Sequence, residues 1–144
     1  MSLLKIASAP PAVVETNATV LEAVERMAEH GVGAVAIVES GQLRGIFTER
    51  DVMLRVVLRQ LKPREVRVGE VMTSPVESIS DDTSEKEALT QMVERHIRHL
   101  PILGQDGKLK GMLSIRNVLE HRVDELAREL HSLDQYLSND GPGG

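Results

Sequence analysis

Apolar residues in this chain fall at two spacings, and the order in which those spacings occur happens twice. Ala12-Val13-Val14 is a short apolar run after Pro10-Pro11 and reads as a strand. Val20, Val24, Met27 and Ala28 then recur at helical spacing behind Thr19-x-x-Glu22, a capping box that opens a helix. Gly31 supplies the stop. Ala34 to Val38 is continuously apolar, the pattern of a strand buried on both faces. Ser40-Gly41 marks a turn, Leu43 to Phe47 the next strand, and Thr48 the start of a helix running toward Leu61. In the second half Val76 to Ile79 predicts the first strand and Ser84-x-x-Glu87 the capping box. Ala88, Met92 and Val93 lie on its helix, and His99 to Leu103 is the buried strand. Asp106-Gly107 turns the chain, Lys108 to Leu113 is the last strand, and Ser114 opens the closing helix.

The agreement between halves extends to individual residues. Gly45-Ile46-Phe47-Thr48-Glu49-Arg50-Asp51-Val52 returns 66 positions later as Gly111-Met112-Leu113-Ser114-Ile115-Arg116-Asn117-Val118, while Ala23 and Met27 return at 65 as Ala88 and Met92. The extra residue falls in the turn. The fold class is therefore mixed α/β (α+β), two pseudo-symmetric β-α-β-β-α units. A unit of about 60 residues buries too little surface to be secure alone, so the two are expected to pack on each other. The expected divisions are unit 1 at 1–62, a connector at 63–74, unit 2 at 75–122, an extended helix at 123–137 and a disordered Gly-rich tail at 138–144. Val123, Leu126, Leu130, Leu133 and Leu137 form a heptad seam on that helix. It fits packing on its own domain and a contact between two copies equally well.

Composition narrows the functions open to the chain. Its 144 residues carry a formal net charge of −5, with 17 basic and 22 acidic side chains, which argues against a general polyanion-binding face. Phe47 and Tyr136 are the only aromatics, too few for the stacking platforms of single-stranded nucleic-acid binders. There is no Cys, so disulfides and thiolate metal sites are excluded, in keeping with a reducing cytoplasm. No apolar run approaches the ~20 residues of a membrane span, and no secretory signal is evident. The expected setting is cytoplasmic, with neither membrane nor nucleic acid as partner.

Three stretches carry candidate chemistry. Thr48-x-x-Asp51 and Ser114-x-x-Asn117 stand at equivalent strand-to-helix junctions. Each reads first as a helix cap. Each also puts a hydroxyl and an acceptor beside free backbone N–H groups that favour phosphate. An Asp can accept from both hydroxyls of a ribose; Asn117, uncharged, should grip one less firmly. Arg95-His96-Ile97-Arg98-His99-Leu100-Pro101 brings basic groups before a buried strand, where Arg98, His99 and Arg116 can converge on a phosphate. Arg95 and His96 read better as a helix end facing the dipole. A metal at His96 and His99 lacks companions at ligand spacing, so no metal is expected. Gly31-Val32-Gly33-Ala34-Val35-Ala36 matches G-x-G-x-x-A, but with the helix before and the strand after, the reverse of a dinucleotide fold. His121 and Arg122 are further phosphate candidates, more simply read as exposed.

Arg98-His99-Leu100-Pro101-Ile102, the two octets and the connector Glu70-Val71-Met72-Thr73 resemble CBS (cystathionine-β-synthase) domains. Over residues 10 to 122 the chain is similar to a stand-alone tandem CBS pair, or Bateman module. The resemblance implies two units packed pseudo-symmetrically through their sheets, two clefts between them, a homodimer, and an adenosine ligand: AMP, ADP, ATP, NAD(H) or S-adenosylmethionine. It implies ribose contacts by Asp51, with Thr48 and Ser114 assisting and Asn117 in the equivalent place. Arg98 and His99, before Leu100-Pro101, are implied on phosphates, with Arg50 and Arg116 beside the hydroxyls and Val14 and Val76 against the adenine. The chain departs from the pattern at Asn117 and at the missing His-Leu-Pro of unit 1. The expected role is regulatory and non-enzymatic, with no cofactor required and an unknown effector protein as reader. A dimerisation scaffold with vestigial clefts is the alternative.

Overall fold

The computed structural model describes residues 2–139, so the rest of the expected tail, 140–144, lies outside the described residues. Each half builds a three-stranded sheet covered by helices. The first holds β1 (Val13–Glu15), α1 (Val20–His30), β2 (Ala34–Glu39), β3 (Gln42–Thr48) and the one-turn α2 (Glu49–Asp51). After the short α3 (Val68–Val71), the second holds β4 (Ile79–Ser80), α4 (Glu85–Arg95), β5 (His99–Leu103), β6 (Leu109–Ser114) and the long α5 (Ile115–Asn139). In both sheets the central strand runs parallel to the first and antiparallel to the third.

Local sequence accounts for the element ends. Thr19 and Ser84 accept from the backbone N–H groups of Glu22 and Glu87, whose carboxylates reach back, so both boxes form as the sequence implies. Gly31 closes α1 in the left-handed region at φ 62°. His96, its counterpart 65 positions on, closes α4 in the same region at φ 55° and carries a Cβ there.

One core lies in each half. Val20, Ala23, Met27, Val35, Ile37 and Phe47 fill the first, and Ala88, Met92, Leu100, Ile102, Leu113 and Val118 the second. A third buried cluster joins the halves through Ala34, Ala36 and Ile46 of the first sheet and Met112 of the second. The sheets therefore pack together, as the resemblance implies.

The N-terminal segment and the connector cross between halves. Leu3, in a short 3-10 turn (Leu3–Lys5), is fully buried in the second core, and Ser8 exchanges two backbone hydrogen bonds with Met112. Thr73 of the connector does the same with Ile46. Gly45 and Gly111 admit these crossings. A Cβ at Gly45 would stand 2.8 Å from the Thr73 carbonyl oxygen, and one at Gly111 2.9 Å from Leu4 and 3.2 Å from the Ser8 carbonyl.

Three expectations change. The helix from Thr48 makes one α-turn and continues as a π-helix over Val52–Val57, ending short of Leu61. Valines at 52, 56 and 57 suit a regular α-helix poorly. The strand expected from Val76 pairs only at Ile79–Ser80, because Val76 packs instead into the cluster joining the sheets. The connector holds the α3 turn. The closing helix runs to Asn139, so Ser138 belongs to it rather than to a tail.

Candidate functional site

The two strand-to-helix junctions take the geometry their sequences imply. Ser114 Oγ accepts from Asn117 N at 3.0 Å, and Asn117 Oδ1 accepts from Ser114 N at 2.8 Å. At the other junction Thr48 Oγ1 accepts from Asp51 N at 3.2 Å and Asp51 Oδ2 accepts from Thr48 N at 3.0 Å. Both pairs are helix caps. Asp51 is the only buried charged side chain among the described residues. Its carboxylate also receives the Thr73 hydroxyl at 3.2 Å and faces Arg55 Nε at 3.5 Å. Arg55 in turn donates to the Met72 carbonyl at 2.9 Å, so one network ties the connector to this junction.

A cleft of about 930 Å³ opens between the halves, within the range of small-molecule sites. Its walls come from both. The first half gives Ala12, Gly31 to Ala34, Glu49 and Val52; the second gives Arg98, His99 and Ser114 to Asn117. The cleft therefore gathers Arg98, His99, Ser114, Arg116 and Asn117 as the sequence implies. Other candidates lie elsewhere. Thr48 and Asp51 sit at the first junction, outside these walls, and Arg50 is exposed on α2. Pro101 is buried in β5, Val14 is buried in the first core, and Val76 packs between the sheets. Val14 also edges a separate depression of about 670 Å³ along β1 and α1.

The electrostatics of the cleft are mixed. Burial pulls His99 below the ordinary imidazole range; Glu49 partly offsets this and Arg98 adds to it. Arg116 is held by Glu120 at 2.8 Å. Sequence reasoning missed Glu49, Ser8 and Thr73. Glu49 reads as an ordinary acidic residue in a first helical turn. Ser8 and Thr73 act through long-range pairing that periodicity does not carry.

Outside the cleft, His121 places Nδ1 3.0 Å from Glu85 and Nε2 3.1 Å from Glu125. These three residues could hold a metal ion, with ligand atoms within 4.8 Å of one another. Arg122 approaches the same carboxylates at 3.5 and 3.4 Å, and these contacts clasp α5 to α4. Beyond the clasp, Val123, Leu126, Leu130, Leu133 and Leu137 are exposed. No helix among the described residues is long and apolar enough to cross a membrane.

The family model described as "CBS domain" matches residues 4–58 and 68–124. The CBS domain-containing protein CBSX3, mitochondrial, of Arabidopsis thaliana is 33% identical over 127 residues, covering 85% of this chain and 61% of that protein. The chain spans about half to three fifths of the first curated relatives it matches. A proposed signal-transduction protein with CBS domains from Burkholderia ambifaria MC40-6 superposes with a TM-score of 0.77 at 33% identity, covering 86% of this chain and 95% of that one. CBS domain protein PAE2072 from Pyrobaculum aerophilum, complexed with AMP, gives a TM-score of 0.72 at 25% identity over 81% of this chain and 89% of that one. Two matched units, with the duplicated order of strands, caps and crossings described above, make this chain a member of the CBS domain family, folded as a tandem pair.

Proposed function

We propose that this CBS pair is a regulatory module that binds an adenine nucleotide, AMP foremost, and acts through binding rather than catalysis. The observation that carries this reading is the cleft between the halves, where Ser114, Asn117 and the start of α5 stand beside Arg98 and His99. A helix start with a hydroxyl and a nearby guanidinium is chemistry suited to a phosphate. The AMP complex of the Pyrobaculum relative supports the choice of ligand. Asp51 and Thr48 would serve a second, pseudo-equivalent ribose. ATP, ADP, NAD(H) and S-adenosylmethionine remain in the same ligand class, and no further cofactor is required. The lack of Cys suits a cytoplasmic setting.

Regulation would work by linkage: ligand favours one arrangement of the halves by its difference in affinity between arrangements, and an effector protein reads the result. The exposed seam on α5 suits a second copy of the chain, so a homodimer is the proposed assembly. Sedimentation of the protein and of Leu130→Lys tests this; equal masses would remove the seam from assembly.

One observation favours a scaffold with a vestigial first cleft: the Asp51 carboxylate is already engaged by Thr48, Thr73 and Arg55. A thermal-shift series with AMP, ADP, ATP, NADH and S-adenosylmethionine decides. Stabilisation by AMP supports the sensor; no shift with any of them at millimolar concentration supports the scaffold. Mass spectrometry of ligand released by heat from the purified protein identifies the nucleotide.

A further inference from the structure

The pseudo-symmetry of the cleft is broken in charge. Glu49 N donates to the Gly33 carbonyl at 3.0 Å, and Ile115 N donates to the Arg98 carbonyl at 2.8 Å. These bonds are equivalents in the two halves, so Glu49 corresponds to Ile115 and Gly33 to Arg98. All four residues line the same cleft. One half thus offers a carboxylate with a bare glycine opposite; the other offers a guanidinium with an isoleucine opposite.

Glu49 is exposed, and its carboxylate lies over Gly33. Its Oε1 lies so close over Gly33 that a Cβ there would stand at 2.9 Å. The glycine leaves the room this carboxylate fills. Glu49, Arg98 and His99 all line this cleft, and both charged groups act on the His99 ring. Arg116, the other guanidinium of the wall, is already matched by Glu120. Among the described residues Arg98 has no carboxylate within 4 Å. The cleft therefore holds one guanidinium with no carboxylate within 4 Å and, on the wall given by the other half, a carboxylate.

We propose that Glu49 is a specificity residue that limits the cleft to a single phosphate, selecting nucleoside monophosphates over di- and triphosphates. The inference rests on the adenine-nucleotide reading and adds its charge class. A monophosphate is met by Arg98 and by the Ser114 hydroxyl at the start of α5. Each added phosphoryl group brings negative charge toward the Glu49 carboxylate, while the other guanidinium of the wall, Arg116, is shared with Glu120, and like charges closer than about 7 Å repel by more than thermal energy even in water.

Calorimetry in magnesium-free, low-salt buffer, with AMP, ADP and ATP on the wild-type chain and on Glu49→Gln, tests this. In the wild type, affinity falls from AMP through ADP to ATP. The Gln variant keeps the shape and the backbone bond to Gly33, and raises affinity for ATP at least tenfold more than for AMP. That excess shrinks at high salt, because the charges are solvent-accessible. A variant that changes all three affinities by the same factor, or a wild type that prefers ATP, overturns the inference. A wild type that binds none of the three overturns the nucleotide reading itself, which is a different result.

Discussion

Thr73 donates its hydroxyl to the carboxylate of Asp51 at 3.2 Å, across 22 positions of sequence. The bond joins the connector between the halves to the capped junction that the repeat singles out. Asp51 also accepts from Thr48 N and faces Arg55. Any ribose at this junction competes with Thr73 for the same oxygens. Asn117 shows that an amide at the equivalent position still satisfies its cap. Asp51→Asn therefore keeps the fold, costs about 1 kcal/mol through weaker hydrogen bonds to an uncharged group, and lowers AMP affinity on the order of tenfold. Thermal denaturation and calorimetry check the two parts separately. Unchanged AMP affinity and stoichiometry would take Asp51 out of ligand binding and leave it a cap.

Gly45 and Gly111 are required by the crossing segments, not by their dihedral angles. Neither adopts a positive φ. A methyl group at Gly45 would meet the Thr73 carbonyl at 2.8 Å and Met72 Sδ at 2.6 Å; backbone cannot yield as a flexible side chain can. Gly45→Ala is expected to cost about 1–3 kcal/mol, the usual range for overpacking. At Gly111 the nearest atom, at 2.9 Å, is the tip of Leu4, so Gly111→Ala should cost less. Urea midpoints of both variants check the order. Equal losses would mean that the crossing segments move as freely as a side chain.

Much of this architecture was readable from the sequence where the determinants are local. The capping boxes at Thr19 and Ser84, the stop at Gly31 and the duplicated octets gave the elements and their pairing in two units. The meeting of Arg98 and His99 with Ser114 and Asn117 also followed from the repeat. What stayed hidden depends on long-range contact. Leu3 lies in the core of the half farther along the chain, and nothing in its neighbours signals that. Glu49 looks like any first-turn acid until Gly33 is found beneath it. Val14 and Pro101 have the residue types of a cleft wall, yet the pleat turns Val14 into the core and β5 buries Pro101.

His96 ends α4 in the left-handed region, where its counterpart is Gly31. A residue with a Cβ pays about 1–2 kcal/mol there. The side chain is exposed and lies outside the cleft walls. Glycine removes the strain but adds freedom to the unfolded chain. His96→Gly is therefore expected to stabilise the protein by about 0.5–1 kcal/mol net. Chemical denaturation measures it, and a lower midpoint for the variant would show that the imidazole makes a compensating contact.

His99 gives the protein a pH dependence whose sign follows from its surroundings. Burial disfavours the imidazolium, Glu49 partly restores it, and Arg98 opposes it, so the folded pKa lies below the unfolded value of about 6.5. In the window beneath 6.5 the unfolded chain binds more protons, and stability rises with pH through that window. The contribution is fully present above about pH 7 and is lost as the solution is acidified toward the folded value. His99→Gln has no such group. The difference in urea midpoint between wild type and variant should therefore shift against the wild type between pH 7 and 5.5; a difference that stays flat would place the ring in water. A bound phosphate reverses the balance, because an anion beside the ring favours the imidazolium. AMP binding near pH 6.5 should then take up more protons in the wild type than in His99→Gln, seen as a difference between the two in how binding enthalpy varies with the ionisation enthalpy of the buffer; the phosphate's own titration is common to both.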